Sequence, residues 1–124
     1  MTLRQVHADF AWVVVVANGV VGVWALAAHH REQLRVPALW RATVVAEVTI
    51  FLEVALGVAL VALRDVEVAQ FHAFYGFVAL ATIGIVYSYR QQVRPHQYLL
   101  YGLGGLFLMG LALRALTISP VPVP

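Results

Sequence analysis

The chain has 124 residues, of which 62% are hydrophobic and only 11% are charged. A soluble domain carries about 25% charged residues, so there is too little polar material here to cover a water-facing surface, and an integral membrane protein is expected. The net charge of +2 comes from arginines scattered between apolar blocks, which leaves no nucleic-acid footprint, and the absence of cysteine excludes disulfides, thiolate metal sites and thiol catalysis.

The N-terminal MTLRQVHADF lacks the charged, apolar and small-residue layout of a cleaved signal and is expected to be retained. Residues 10–28 then form a charge-free block, FAWVVVVANGVVGVWALAA, just long enough for a helix that crosses a hydrocarbon core of about 30 Å. The block at 42–63 also suffices but carries Glu47 and Glu53. A third block covers 71–89, and a fourth covers 98–116 with Arg114 near its end. Blocks this long must satisfy their own backbone in lipid, which a helix does alone. The fold class expected is therefore all-α: one domain over 1–124 with four transmembrane helices. Short connectors at 29–41, 64–70 and 90–97 predict an up-down antiparallel bundle. The tail at 117–124, with its alternating prolines, is expected to be extended.

Orientation follows from arginine. Arg31, Arg35, Arg41, Arg90 and Arg94 fall at the first and third connectors, against Arg4, Arg64 and Arg114 on the other side. Five against three places the 29–41 and 90–97 loops in the cytoplasm and both termini outside.

Aligning the first block onto the third with an offset of 65 sets His7-Ala8 on His72-Ala73, Gly19 on Gly84 and Val21 on Val86. Five of 18 positions are identical and three more exchange one aromatic for another, which points to a duplicated helical hairpin with its two histidines at equivalent outer positions.

Few residues in this chain can carry chemistry. Glu53 lies mid-span, where an ionised side chain costs about 2.5–3.5 kcal/mol on insertion scales. It must be protonated, paired or turned to a wet cavity. Asn18, Thr82 and Thr49 are the polar groups that could meet it, and Glu47 lies about 120° around the same helix. Glu53, Glu47, Asn18 and Thr82 are thus candidates for a proton or ion relay, weighed against a protonated, hydrogen-bonded Glu53 that only joins helices. His72, His7 and Asp9 have the right ligand types for a divalent metal, and histidines at both faces of a bundle raise the question of haem b. There is no tight ligand motif, the histidine spacing argues against stacked haems, and an imidazole is ordinary at the headgroups. No cofactor is therefore expected. Most of the aromatic residues fit an interfacial belt. Gly19, Gly22, Gly76, Gly84, Gly102, Gly105 and Gly110 allow close helix approach, within one bundle or against another subunit.

The stretch FHAFYGFVALATIGIVYSYR followed by YLLYGLGGLFLMGLALRAL resembles small four-span membrane proteins of high-GC Gram-positive bacteria, a likeness that implies a bacterial plasma membrane and work beside other proteins. Size and a buried glutamate are also similar to the small multidrug-resistance transporters. There the essential glutamate lies in the first span, whereas here both acids lie in the second.

Four short spans with minimal loops leave no soluble domain for catalysis, so an enzyme is not expected. The leading expectation is an accessory or structural subunit of a larger bacterial membrane complex, with lipid and other subunits, or copies of itself, as partners. A proton-coupled carrier or channel built on Glu53 is the alternative, and a haem- or metal-binding protein is the third.

Overall fold

A computed structural model describes residues 1–118. It is all-helical: α1 is Leu3–His30, α2 is Pro37–Arg64, α3 is Gln70–Tyr89 and α4 is Gln97–Thr117, with single 3₁₀ turns at Glu32–Leu34 and Arg94–His96. All four long helices are apolar and long enough to cross a membrane, consistent with a multi-pass membrane protein. The proline-rich tail expected from 117 lies outside the described residues from 119 onward, and Thr117 itself closes α4.

α1 and α2 each have 28 residues, about 42 Å of helix, and outrun the blocks expected from hydropathy. Local signals explain the excess. Thr2 and Gln5 form a capping box: the Gln5 amide donates to the Thr2 hydroxyl at 3.2 Å, and the Thr2 amide donates to Gln5 Oε1 at 2.9 Å. This carries the polar LRQVHAD into α1, and His7 with it. Pro37 starts α2 because its missing N–H is one that the first turn leaves unpaired anyway. Between them, the Arg35 guanidinium donates to the Ala28 carbonyl at 2.7 Å and the His29 carbonyl at 2.9 Å, satisfying two acceptors left over at the end of α1. α2 stops at Asp65, whose φ of 51° lies in the left-handed region that aspartate tolerates better than most residues.

The closest helix pair is α1 with α4. Its seam is made of glycine. A Cβ added to Gly105 would stand 2.8 Å from the Gly22 Cα, one on Gly22 would stand 2.8 Å from the Leu106 amide nitrogen, and one on Gly102 would stand 2.6 Å from Leu26 Cγ. Gly19 faces the Met109 sulfur and Gly104 faces Val86, so these two also lie against neighbouring helices. Gly76, Gly84 and Gly110 do not pack inside the chain: a Cβ there would meet nothing within 4 Å, and Gly84 and Gly110 are exposed.

α1 also packs on α2, and α4 on α3, but α2 and α3 barely touch. The two-fold suggested by the hairpin alignment is therefore absent from the packing. It would make α1–α4 and α3–α2 equivalent, yet one is the tightest pair and the other the loosest of the four. Gly22 of the seam aligns with Tyr87, and a tyrosine cannot form such a crossing. The core has two parts. Val14, Ile50, Ala79, Ile83, Leu108 and Leu111 form one, and Ala25, Ala28 and Leu39 form the other under Trp24, Tyr98 and Tyr101. Large apolar side chains also point outward, Phe77 at 68% exposure among them.

Candidate functional site

The two intrahelical acids are six residues apart on α2, about 9 Å along its axis and on different sides of it. They reach two separate polar places.

Glu47 lines a small cavity with Asn18 of α1, Thr43 of α2 and Tyr101 of α4, closed by apolar side chains that include Ile83 of α3 and Leu108 of α4. The space open to the centre of a water molecule is about 10 Å³, room for roughly one water. Asn18 is fully enclosed, at 1% exposure. Its Nδ2 donates to the Val14 carbonyl at 2.9 Å and across to the Ala46 carbonyl of α2 at 3.3 Å. Thr49 donates to that same Ala46 carbonyl, and Thr43 donates to Leu39 at 2.8 Å. Asn18 is thus a tie between α1 and α2 beside the Glu47 carboxyl.

Glu53 meets His7, with Oε1 and Nδ1 3.1 Å apart and both side chains mostly enclosed. The approach is off-axis, so neither atom makes an aligned hydrogen bond. Gly57, one turn beyond Glu53, leaves room for the ring; a Cβ there would stand 3.1 Å from His7 Cε1. The ring of His72, from α3, lies edge-on to His7 with centroids 6.1 Å apart. His72 Nδ1 is 3.0 Å from the Ala115 carbonyl of α4. A carbonyl only accepts, so His72 Nδ1 carries the hydrogen and Nε2 is left as an acceptor.

The four relay candidates therefore do not form one chain. Asn18 and Glu47 share the cavity, Glu53 belongs with His7, and Thr82 donates to Val78 of its own helix at 2.7 Å. A threonine satisfied by the carbonyl one turn back has no need of a partner across the bundle. The rings of His7 and His72 stand with centroids 6.1 Å apart, but Asp9 is exposed, and among the described residues no group of three or more His, Asp or Glu converges as a metal site. At the far end His29 lies beside His30 and His96, with centroids 5.0 and 6.1 Å apart, and Trp40 packs on Tyr98 and Tyr101.

Sequence reasoning missed Gly57 and the His7–Glu53 contact. The signal was present in the Thr2–Gln5 capping box, which extends α1 past His7 and so puts that histidine on a helix able to face α2. Comparison with known protein families, curated proteins and solved structures finds no match.

Proposed function

We propose that this chain is an accessory or structural subunit of a larger assembly in a bacterial plasma membrane, and that α3 carries the contact with its neighbour. In this reading the four helices cross the bilayer as an antiparallel up-down bundle, with loops 29–41 and 90–97 cytoplasmic and both termini outside. The arginine distribution supports that orientation, and the outward apolar side chains support lipid or protein around the bundle.

The observation that carries the reading is the one-sided support of α3. It rests on α4, hardly touches α2, and turns Gly84 to open space. Small residues let helices approach closely in lipid, where packing rather than the hydrophobic effect joins them. The cavity beside Glu47 admits about one water, far below the roughly 300–1,000 Å³ of a small-molecule site, so nothing there suits an organic substrate.

Because the sequence contains no cysteine, Gly84→Cys supplies a single thiol. Oxidative or bifunctional cross-linking in native membranes should trap a discrete adduct through position 84, while Val44→Cys on α2 should trap none. A chain that stays monomeric and uncross-linked at both positions sinks the reading.

A second reading, a proton-coupled carrier or channel, is favoured by Glu47 facing a water-sized cavity between helices. Glu47→Gln should then abolish pH-driven flux in proteoliposomes. Flux that persists at the wild-type rate removes Glu47 from any such path.

A further inference from the structure

We propose that the cavity between Asn18, Thr43, Glu47 and Tyr101 is a binding site for one small monovalent cation, Na⁺ or an ion of its kind, stripped of its water. The proposal concerns binding alone and rests on neither functional reading.

Three properties of the cavity select the occupant. The first is size. The space open to the centre of a water molecule is about 10 Å³, which admits one water-sized particle and no organic substrate. From α4 the wall is Gly104 and Gly105, which bring no side chain to fill it.

The second is the hydrogen-bond account. Asn18 is 1% exposed, and its Nδ2 is spent on the Val14 and Ala46 carbonyls. What remains of that amide is Oδ1, an acceptor, and no donor among the described residues reaches it. Thr43 gives its hydrogen to the Leu39 carbonyl, so its hydroxyl oxygen is left with lone pairs only. The Glu47 carboxylate offers acceptors alone, and Tyr101 adds a phenolic oxygen to the lining. The polar part of the wall is therefore oxygen, with most of its hydrogens turned elsewhere. Such a set suits a hard cation, which takes carboxylate, carbonyl and hydroxyl oxygens together. It repels an anion. A buried amide oxygen without a partner is costly, so an occupant that brings positive charge to it is favoured.

The third is charge. Glu47 lies within an apolar span, where an ionised carboxylate needs a partner. No arginine or histidine lines the cavity, and the ion pair found among the described residues is that of His7 with Glu53, farther along α2. One monovalent cation neutralises Glu47. A divalent ion would leave an excess positive charge in poorly screened surroundings, and Mg²⁺ also holds waters for which the cavity has no room.

The test is sodium-dependent unfolding of the full chain in uncharged detergent micelles. Circular dichroism follows it at fixed pH and constant ionic strength, with sodium chloride exchanged for N-methylglucamine chloride. A ligand of the folded state alone raises the folding constant in proportion to its concentration once the site is half filled, so a tenfold rise in sodium should then raise that constant about tenfold. Magnesium chloride at the same ionic strength should give no such rise. Glu47→Gln keeps the shape of the side chain and removes its charge, and the sodium response should vanish. Asn18→Leu should raise the half-saturating sodium concentration at least about tenfold. Glu53→Gln, on the same helix but away from the cavity, should keep the wild-type response. Wild-type stability indifferent to sodium overturns the proposal and leaves Glu47 to a proton or a water molecule. A response that magnesium equals, or one that survives in Glu47→Gln, overturns it as well. If Glu47→Gln does not fold, the contrast of sodium with magnesium and the shift in Asn18→Leu decide.

Discussion

Gly105 and Gly22 bring α4 and α1 into backbone contact: a Cβ on Gly105 would lie 2.8 Å from the Gly22 Cα. No side chain separates the helices at that point, so nothing there can adjust by changing rotamer. Gly105→Ala and Gly22→Ala should each destabilise the fold by about 1–3 kcal/mol, the usual cost of overpacking. Gly84→Ala and Gly110→Ala, in open space, should instead be neutral or gain up to about 1 kcal/mol from the better helix former. Unfolding in mixed detergent micelles, read by circular dichroism, separates the two pairs.

Asn18 spends its amide on the Val14 and Ala46 carbonyls while buried at 1% exposure. Asn18→Leu keeps the bulk and removes the tie between α1 and α2. An interhelical hydrogen bond in lipid is worth about 0.6–2 kcal/mol, so a loss of that size is expected. Asn18→Ala should cost more, because it adds a void next to the Glu47 cavity. Thermal stability in detergent ranks the two; a Leu variant more stable than wild type would contradict the role given to Asn18.

Gly57→Leu fills the space that His7 occupies. The ring must swing from Glu53, which leaves a carboxylate mostly enclosed without its partner. That kind of loss is strongly destabilising, about 3–5 kcal/mol for a fully buried pair, and less here because part of each side chain is exposed. The informative readout is Gly57→Leu combined with Glu53→Gln: the second change should restore part of the stability lost in the first. Independent, additive losses would mean that the glycine makes room for something other than the pair.

Arg35 bonds two carbonyls at the end of α1 and stacks 5.1 Å over the Tyr98 ring. Arg35→Ala frees both carbonyls and the turn at Glu32–Leu34. About 1 kcal/mol of stability should go, discounted for exposure. Limited proteolysis in detergent should show faster cutting between residues 31 and 36 than in wild type. Arg35→Lys should rescue little, since one ammonium cannot reproduce the guanidinium fork.

How far these features were legible in the sequence depends on their range. Apolar stretches of about a bilayer's length, with at most two charged residues in each, identified four helices directly. Their true ends lay in short-range signals, Thr2 with Gln5 and Pro37, that a hydropathy window does not weigh. Gly102 and Gly105, three apart, share a face and marked α4 as a packing helix. That Gly22 is their partner, and that Gly84 turns outward although it aligns with the packed Gly19, depends on how each helix is rotated, which small apolar alphabets leave open. Glu53 stood out by its cost in lipid. Its partner was not legible: His7 lies before the apolar block, and the polar groups well inside the spans are Asn18, Thr82 and Thr49. The extension of α1 past His7 brings that histidine to Glu53, while Thr82 bonds its own backbone.

The loose pairing of α2 with α3 has a mechanical consequence. Following the firm contacts, the helices run α2, α1, α4, α3: a strip with two free edges, not a closed ring. Thr43 and Glu47 lie on one edge and Ile83 and Val86 on the other, so the Glu47 cavity sits where the strip's margins meet. Opening that margin costs few helix contacts, whereas parting α1 from α4 means prying apart glycine-sealed backbone. The way into the interior of this molecule is therefore sideways, between α2 and α3.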